Sequence, residues 1–224
     1  MNGLIGKVVD FEPGDRIYPF NFTAANTELT EAILDDTLLF SEWINSKLTK
    51  NQARYGIGGY DEHRTIYSRS EHFSSSEEPR RLHLGVDIWG PAGTPIYAFS
   101  DAVVHSFAFN DRFGDYGATI ILQHKIDGNE FFVLYGHLSL SSLFGLKEGL
   151  DIAKGAHFAE FGISEENGHW PPHLHFQIIK DMQGLKGDYP GVCQYSKREF
   201  YLRNCPDPAF IMDNTFQTAS FKNA

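Results

Sequence analysis

The stretch Pro172-His173-Leu174-His175-Phe176-Gln177-Ile178 decides the fold, because it alternates polar and apolar side chains without a break. A β-strand sends residues i, i+2 and i+4 to one face. His173, His175 and Gln177 therefore face one way, and Leu174, Phe176 and Ile178 face a core. Two distant segments carry polar groups on the same period. In Arg81-Leu82-His83-Leu84-Gly85-Val86-Asp87-Ile88, alternation puts His83 and Asp87 on one face and Leu82, Leu84, Val86 and Ile88 on the other. In Val133-Leu134-Tyr135-Gly136-His137-Leu138, Tyr135 and His137 stand on every second position. Histidines set opposite an apolar stripe are placed for chemistry.

Working outward, short strands are predicted over 82–88, 95–108, 117–124, 130–138, 156–162 and 173–180, separated by Gly, Pro, Asp and Asn. This density of strands and turns predicts a mainly β chain with an antiparallel sandwich or barrel-like core, not βαβ units. Leu140–Phe144 reads as a single helical turn. From Thr27 to Lys50, Leu29, Ile33, Leu34, Leu38, Phe40, Trp43, Ile44 and Leu48 recur near the helical period. One or two amphipathic helices are expected there, broken near Asp35-Asp36 and packing outside the sheet. Tyr55–Tyr60 reads as a loop and Phe73–Pro79 as an exposed turn. The organisation expected is an N-terminal helical and irregular extension (1–80), a β core (81–182), and a C-terminal tail (183–224) packed on that core.

With 224 residues and 42% hydrophobic content, the chain can bury a full domain core. Its formal charge of -10, with no basic stripe, gives no electrostatic reason to follow nucleic acid or anionic lipid. No stretch reaches the ~18 apolar residues of a membrane span. Residues 1–10 hold neither a continuous apolar run nor a small-residue cleavage site, so a cytoplasmic protein is expected. Cys193 and Cys205 read as reduced thiols, with a disulfide as the alternative. Oligomeric state is not legible.

Zinc in hydrolases takes three protein ligands, from imidazole nitrogen and carboxylate oxygen, and keeps a position for water. His83, Asp87 and one histidine of the His173/His175 pair supply such a set. The metal lowers the pKa of its water to ~7 and polarises a carbonyl. A neighbouring imidazole outside the metal shell can take the proton. Taken alone, His83 and Asp87 read as an ordinary surface pair; with His137, His173 and His175 in context they read as a metal site.

The motifs His83-x-x-x-Asp87, Tyr135-Gly136-His137-Leu138-Ser139 and Pro172-His173-Leu174-His175-Phe176 resemble, in order and context, the lysostaphin-like (LytM-type) zinc metallopeptidases. Gly90–Ala98, Asp101–Val104 and Tyr116–His124 resemble the strands and turns between that family's motifs. The resemblance covers roughly 81–180 and implies the family's fold, a β-sandwich of the duplicated hybrid type with its site in a groove. It implies one zinc per chain on His83, Asp87 and His175, with His137 and His173 as catalytic histidines outside the metal shell. It further implies a zinc metalloendopeptidase acting on a peptide or small amide, of the cell-wall-peptide type; the alternative is a non-hydrolytic binding or regulatory domain of the same fold.

The chain departs from the family pattern in three places, the most important being that no export signal is visible, which does not suit a wall hydrolase. The loop Ile163–Pro172 is bulkier and more acidic than the usual small turn, and Gln177 stands where a Glu is usual, which should leave metal binding intact. The sequence around 55–95 and the Cys205-Pro206-Asp207-Pro208 tail are similar to a variant of the domain found beside class III aminotransferases, which implies a small-molecule or intracellular peptide substrate. Among the remaining histidines, His124 reads as structural or as support behind the ligands, His63, His72, His105 and His157 as solvated or locally bonded, and His169 as a rim-loop residue, with substrate contact the minority reading. Tyr60–Arg64, dense in functional groups, reads either as a solvated loop or as a cover over the groove.

Overall fold

The alternating segments become neighbouring strands of one large sheet in the computed structural model, which describes residues 5–74 and 77–216. In chain order its first half holds β1 (Ile17–Phe20), α1 (Glu31–Asp35), α2 (Thr37–Lys50), β2 (Tyr55–Gly58), β3 (Leu82–His83), β4 (Val86–Trp89), β5 (Pro95–Tyr97) and β6 (Ala102–Asn110). There follow β7 (Gly117–Ile126), β8 (Asn129–Leu138), β9 (Asp151–Ile152), β10 (His157–Glu160), β11 (His173–Ile179), β12 (Val192–Cys193), α3 (Arg198–Asn204) and α4 (Ala209–Phe216). The main sheet runs β1-β2-β4-β11-β8-β7-β6-β9, antiparallel throughout except at β1–β2. Two small ribbons, β5–β10 and β3–β12, complete a mainly β chain. Among the described residues no helix is long and apolar enough to cross a membrane.

The break near Asp35-Asp36 is a helix cap. Asp36 accepts from the backbone N–H groups of Leu38 and Leu39, satisfying donors that the first turn of α2 leaves unpaired. Phe40, Ile44 and Leu48 of α2 then pack with Phe20, Phe22 and Trp89 against one flank of the sheet. Leu140–Leu143 forms the expected helical turn, in 3₁₀ form.

Residues 55–58 are not the loop that their glycines suggested. They form β2, paired to β4 through Gly56↔Trp89, Ile57↔Ile88 and Gly58↔Asp87. Glycine is poor in strands unless another group needs its space. Here a Cβ on Gly56 would lie 2.0 Å from the Phe20 ring, so the bare backbone is what admits that ring.

The segment 82–88 is likewise not one strand. It divides between β3 and β4, and its apolar residues separate: Leu82 and Leu84 pack with Tyr116 and Leu134, while Val86 and Ile88 join the main core of Ile120, Tyr135, Leu174 and Phe176. Gly85 lies at the crossing, where a Cβ would meet the Phe176 carbonyl oxygen at 2.7 Å and the His175 ring at 2.8 Å. Of the predicted turn at 73–79, Ser75 and Ser76 lie outside the described residues. Cys193 and Cys205 are buried free thiols.

Candidate metal centre

On the sheet face away from the main core, three side chains converge. His83 Nε2 lies 2.9 Å from His175 Nδ1, and Asp87 Oδ1 lies 3.2 Å from the first and 3.1 Å from the second. The register explains the meeting, since His175 of β11 pairs directly with Asp87 of β4. All three residues are buried.

The outer hydrogen bonds fix which nitrogens point inward. His83 Nδ1 donates to the Gly59 carbonyl at 2.9 Å, which leaves Nε2 as the lone-pair nitrogen. His175 Nε2 meets Gln177 Oε1 at 2.9 Å. The Gln177 amide nitrogen is engaged by the Pro190 carbonyl at 3.1 Å and Cys205 Sγ at 3.3 Å, so its oxygen must accept from His175. Two imidazole lone pairs and a carboxylate oxygen therefore face one point, with no proton between the rings. Such an arrangement is repulsive unless a cation fills it, and the donor set is that of a zinc site. Among the described residues this is the one group of His, Cys, Asp and Glu with ligand atoms all within 4.8 Å of one another. Gln177 keeps the acceptor that a Glu would supply and spends its extra donors on the tail.

The second carboxylate oxygen of Asp87 accepts from Arg64 Nη1. Arg64 is completely buried, and also bonds Glu62 at 2.6 Å and the same Gly59 carbonyl at 3.1 Å. Burial by itself would raise the Asp87 pKa; the charged Arg64 guanidinium bound to it opposes this, and the carboxyl is held well below its ordinary range. Burial, reinforced by Arg64, pushes His83 down to about 3, so its imidazole is neutral at neutral pH. Arg64 is a member of this buried cluster that periodicity does not reveal. Its only signal was the density of polar groups over Tyr60–Arg64, and of the two readings of that segment the covering one fits Arg64.

His137 and His173 sit beside the donor set, with ring centroids 4.1 Å apart. His137 Nδ1 donates to the Asn167 carbonyl at 2.8 Å, and His173 Nδ1 to the Pro171 carbonyl at 2.7 Å. Both acceptors belong to the bulky loop 163–172, which thus orients both histidines as well as rimming the groove. His173 is further held flat on Trp89, with centroids 3.9 Å apart. Burial lowers His173 to about 4 and His137 well below its usual value, so each presents an unprotonated Nε2.

Asp87, His137, His173 and His175 line a cavity of about 120 Å³ together with Tyr67, Phe73, Trp170 and Tyr116. His72, read as solvated or locally bonded, also lines it. His169 does not; it stacks on Phe113, and its carbonyl accepts from Thr37. His124 lies in the core between Phe99 and Phe131, bonded to Ser100 at 2.8 Å.

Residues 81–187, a little under half of the chain, match the model of Peptidase family M23. Among curated proteins it is similar to peptidoglycan DD-endopeptidase ShyA of Vibrio cholerae, 30% identical over 139 residues, covering 56% of this chain and 30% of that protein. DD-carboxypeptidase/endopeptidase Mpg of Neisseria meningitidis is 32% identical over 125 residues, covering 54% of this chain and 26% of that protein. The matched segment thus spans less than a third of either relative. Among solved structures, the catalytic domain of lysostaphin from Staphylococcus simulans aligns with a TM-score of 0.43 at 22% identity, covering 72% of this chain and 96% of that one.

Proposed function

We propose that the protein is a zinc-dependent peptidase that hydrolyses an amide bond with a metal-activated water. The observation that carries this reading is the convergence of His83 Nε2, His175 Nδ1 and Asp87 Oδ1. The outward atoms of all three are bound, to Gly59, Gln177 and Arg64. His83, Asp87 and His175 would hold the ion. Zinc, when bound there, supplies a Lewis acid for a carbonyl and lowers the pKa of water to about 7.

The remaining chemistry belongs to the chain's own imidazoles. With Nδ1 of His137 and His173 fixed as donors, Nε2 of each is the acceptor. One can take the proton of the attacking water and, once protonated, donate to the developing oxyanion or to the leaving amine. The buried, largely aromatic surroundings lower the local dielectric and strengthen these contacts. A peptide substrate agrees with the relatives named as peptidoglycan endopeptidases.

Metal analysis followed by a screen of small peptides, including glycyl and D-alanyl amides, tests the proposal. About one zinc per chain is expected. Alanine at His83, Asp87 or His175 should lose the metal. Alanine at His137 or His173 should keep it while turnover falls by about 10²–10⁴-fold. Loss of zinc from His173→Ala but not from His175→Ala would reverse the assignment within the pair. A zinc-loaded protein that cleaves no peptide would sink the hydrolase reading.

A further inference from the structure

Residues 64–73 cross directly over the metal centre. At one end Arg64 is bound to Asp87 of β4. At the other, Ser70 Oγ donates to the Phe113 carbonyl at 2.8 Å, just before β7. In the sheet, β11 and β8 lie between β4 and β7, and these two strands carry His173, His175 and His137. Three strand spacings put the two anchor points about 14 Å apart, with all three histidines beneath the span.

The span is packed on both sides. Ile66, Tyr67 and Phe73 are buried in the same cluster as Phe40 and Leu34 of the helices. The Arg69 guanidinium lies over Phe40, Phe113 and Trp170, at 5.6, 5.0 and 4.8 Å from the ring centroids. Gly114 approaches so closely that a Cβ there would lie 2.7 Å from Ser70. The cavity left beneath is about 120 Å³, well under the roughly 300–1,000 Å³ of ordinary ligand pockets.

A peptidase that cuts within a cross-linked polymer needs a groove into which a strand, continuous on both sides of the bond, can be laid. A groove bridged over its catalytic groups does not admit such a strand from the side. It admits a short chain that enters end first. Resting on the hydrolase reading, we infer that the bridged cavity selects short, free peptides and excludes the same bond in a cross-linked wall polymer.

The zinc-loaded full chain is tested on one glycyl or D-alanyl bond presented in two forms, as a soluble short peptide and within purified, insoluble cell wall, reading amine release per accessible bond. The short peptide should turn over at least roughly 100-fold faster, the scale of loss when a substrate cannot reach its seat. Wall cleavage within a few-fold of the short-peptide rate overturns the inference.

Binding separates this result from the hydrolase reading. If neither form is cleaved, calorimetry with the short peptide and pelleting with the wall still decide the size rule. Binding of the short peptide alone keeps the rule and sinks the hydrolase. Pelleting with the wall, or no short-peptide binding, overturns the rule. The pair Arg69→Ala/Ser70→Ala releases the far anchor without touching the cavity lining. It should raise wall cleavage while short-peptide turnover stays within a few-fold. A folded variant with unchanged exclusion would show that the bridge is not the cause. Should that variant not fold, the wild-type comparison stands by itself.

Discussion

His137 has φ of 64°, a left-handed conformation that costs a non-glycine residue about 1–2 kcal/mol. Regular alternation along β8 would place it with Tyr135, whose ring packs in the main core against Phe176. The left-handed step turns it instead to the face of His173 and His175. It is held there by its N–H to the Tyr116 carbonyl at 2.8 Å and by the Gly162 N–H on its own carbonyl at 2.9 Å. Strain of this kind persists where surrounding bonds over-determine the backbone. Arg64 is the other residue on which the site turns. It is the buried counter-charge for both Asp87 and Glu62. Arg64→Met should therefore strand two carboxylates and cost about 3–5 kcal/mol, read as a lower urea midpoint of the metal-free protein. A loss under 1 kcal/mol would mean that solvent reaches the pair.

At the scale of elements, β7 carries a buried histidine that takes no part in the site. Burial lowers His124 to about 3, against ~6.5 in an unfolded chain. Between those values the unfolded state binds a proton that the folded state refuses. Stability therefore falls as pH drops through this window, by about 1.4 kcal/mol per pH unit from this group. His124→Phe should flatten the stability–pH slope by about that amount between roughly pH 6 and 4, in urea melts at stepped pH. An unchanged slope would show that His124 already titrates in the folded state. The pairing of β2 with β4 has a different cause. It places the Gly59 carbonyl just past the strand end, where His83 and Arg64 both donate to it. A segment read as loop on composition is in fact the outer support of His83 and Arg64.

At the scale of the molecule, the family match begins at residue 81, but the structure that completes the site does not. β2 covers one edge of β4, β12 pairs with β3, and Val8, Val9, Ile211, Met212 and Phe216 fill the main core. A fragment limited to 81–187 would lose Arg64, Gly59 and these apolar residues together. We expect it not to melt cooperatively by circular dichroism, whereas the full chain does. A cooperative fragment that still binds one zinc would show that the matched segment folds alone and that its flanks only modulate it.

The sequence by itself determined the strand alternation of 173–178 and the helical break at Asp36, and it singled out the five side chains that the structure brings together. Each depends on local period or on a motif, and local period survives without knowledge of neighbours. Tertiary structure alone decided the rest. The division of 82–88 between a small ribbon and the main sheet follows from the close crossing at Gly85, the inward turn of His137 from bonds to Tyr116 and Gly162, and the strand at 55–58 from the Phe20 ring seated on Gly56. The partnership of Arg64 with Asp87 joins residues 23 positions apart on different elements, at a buried contact that no period encodes.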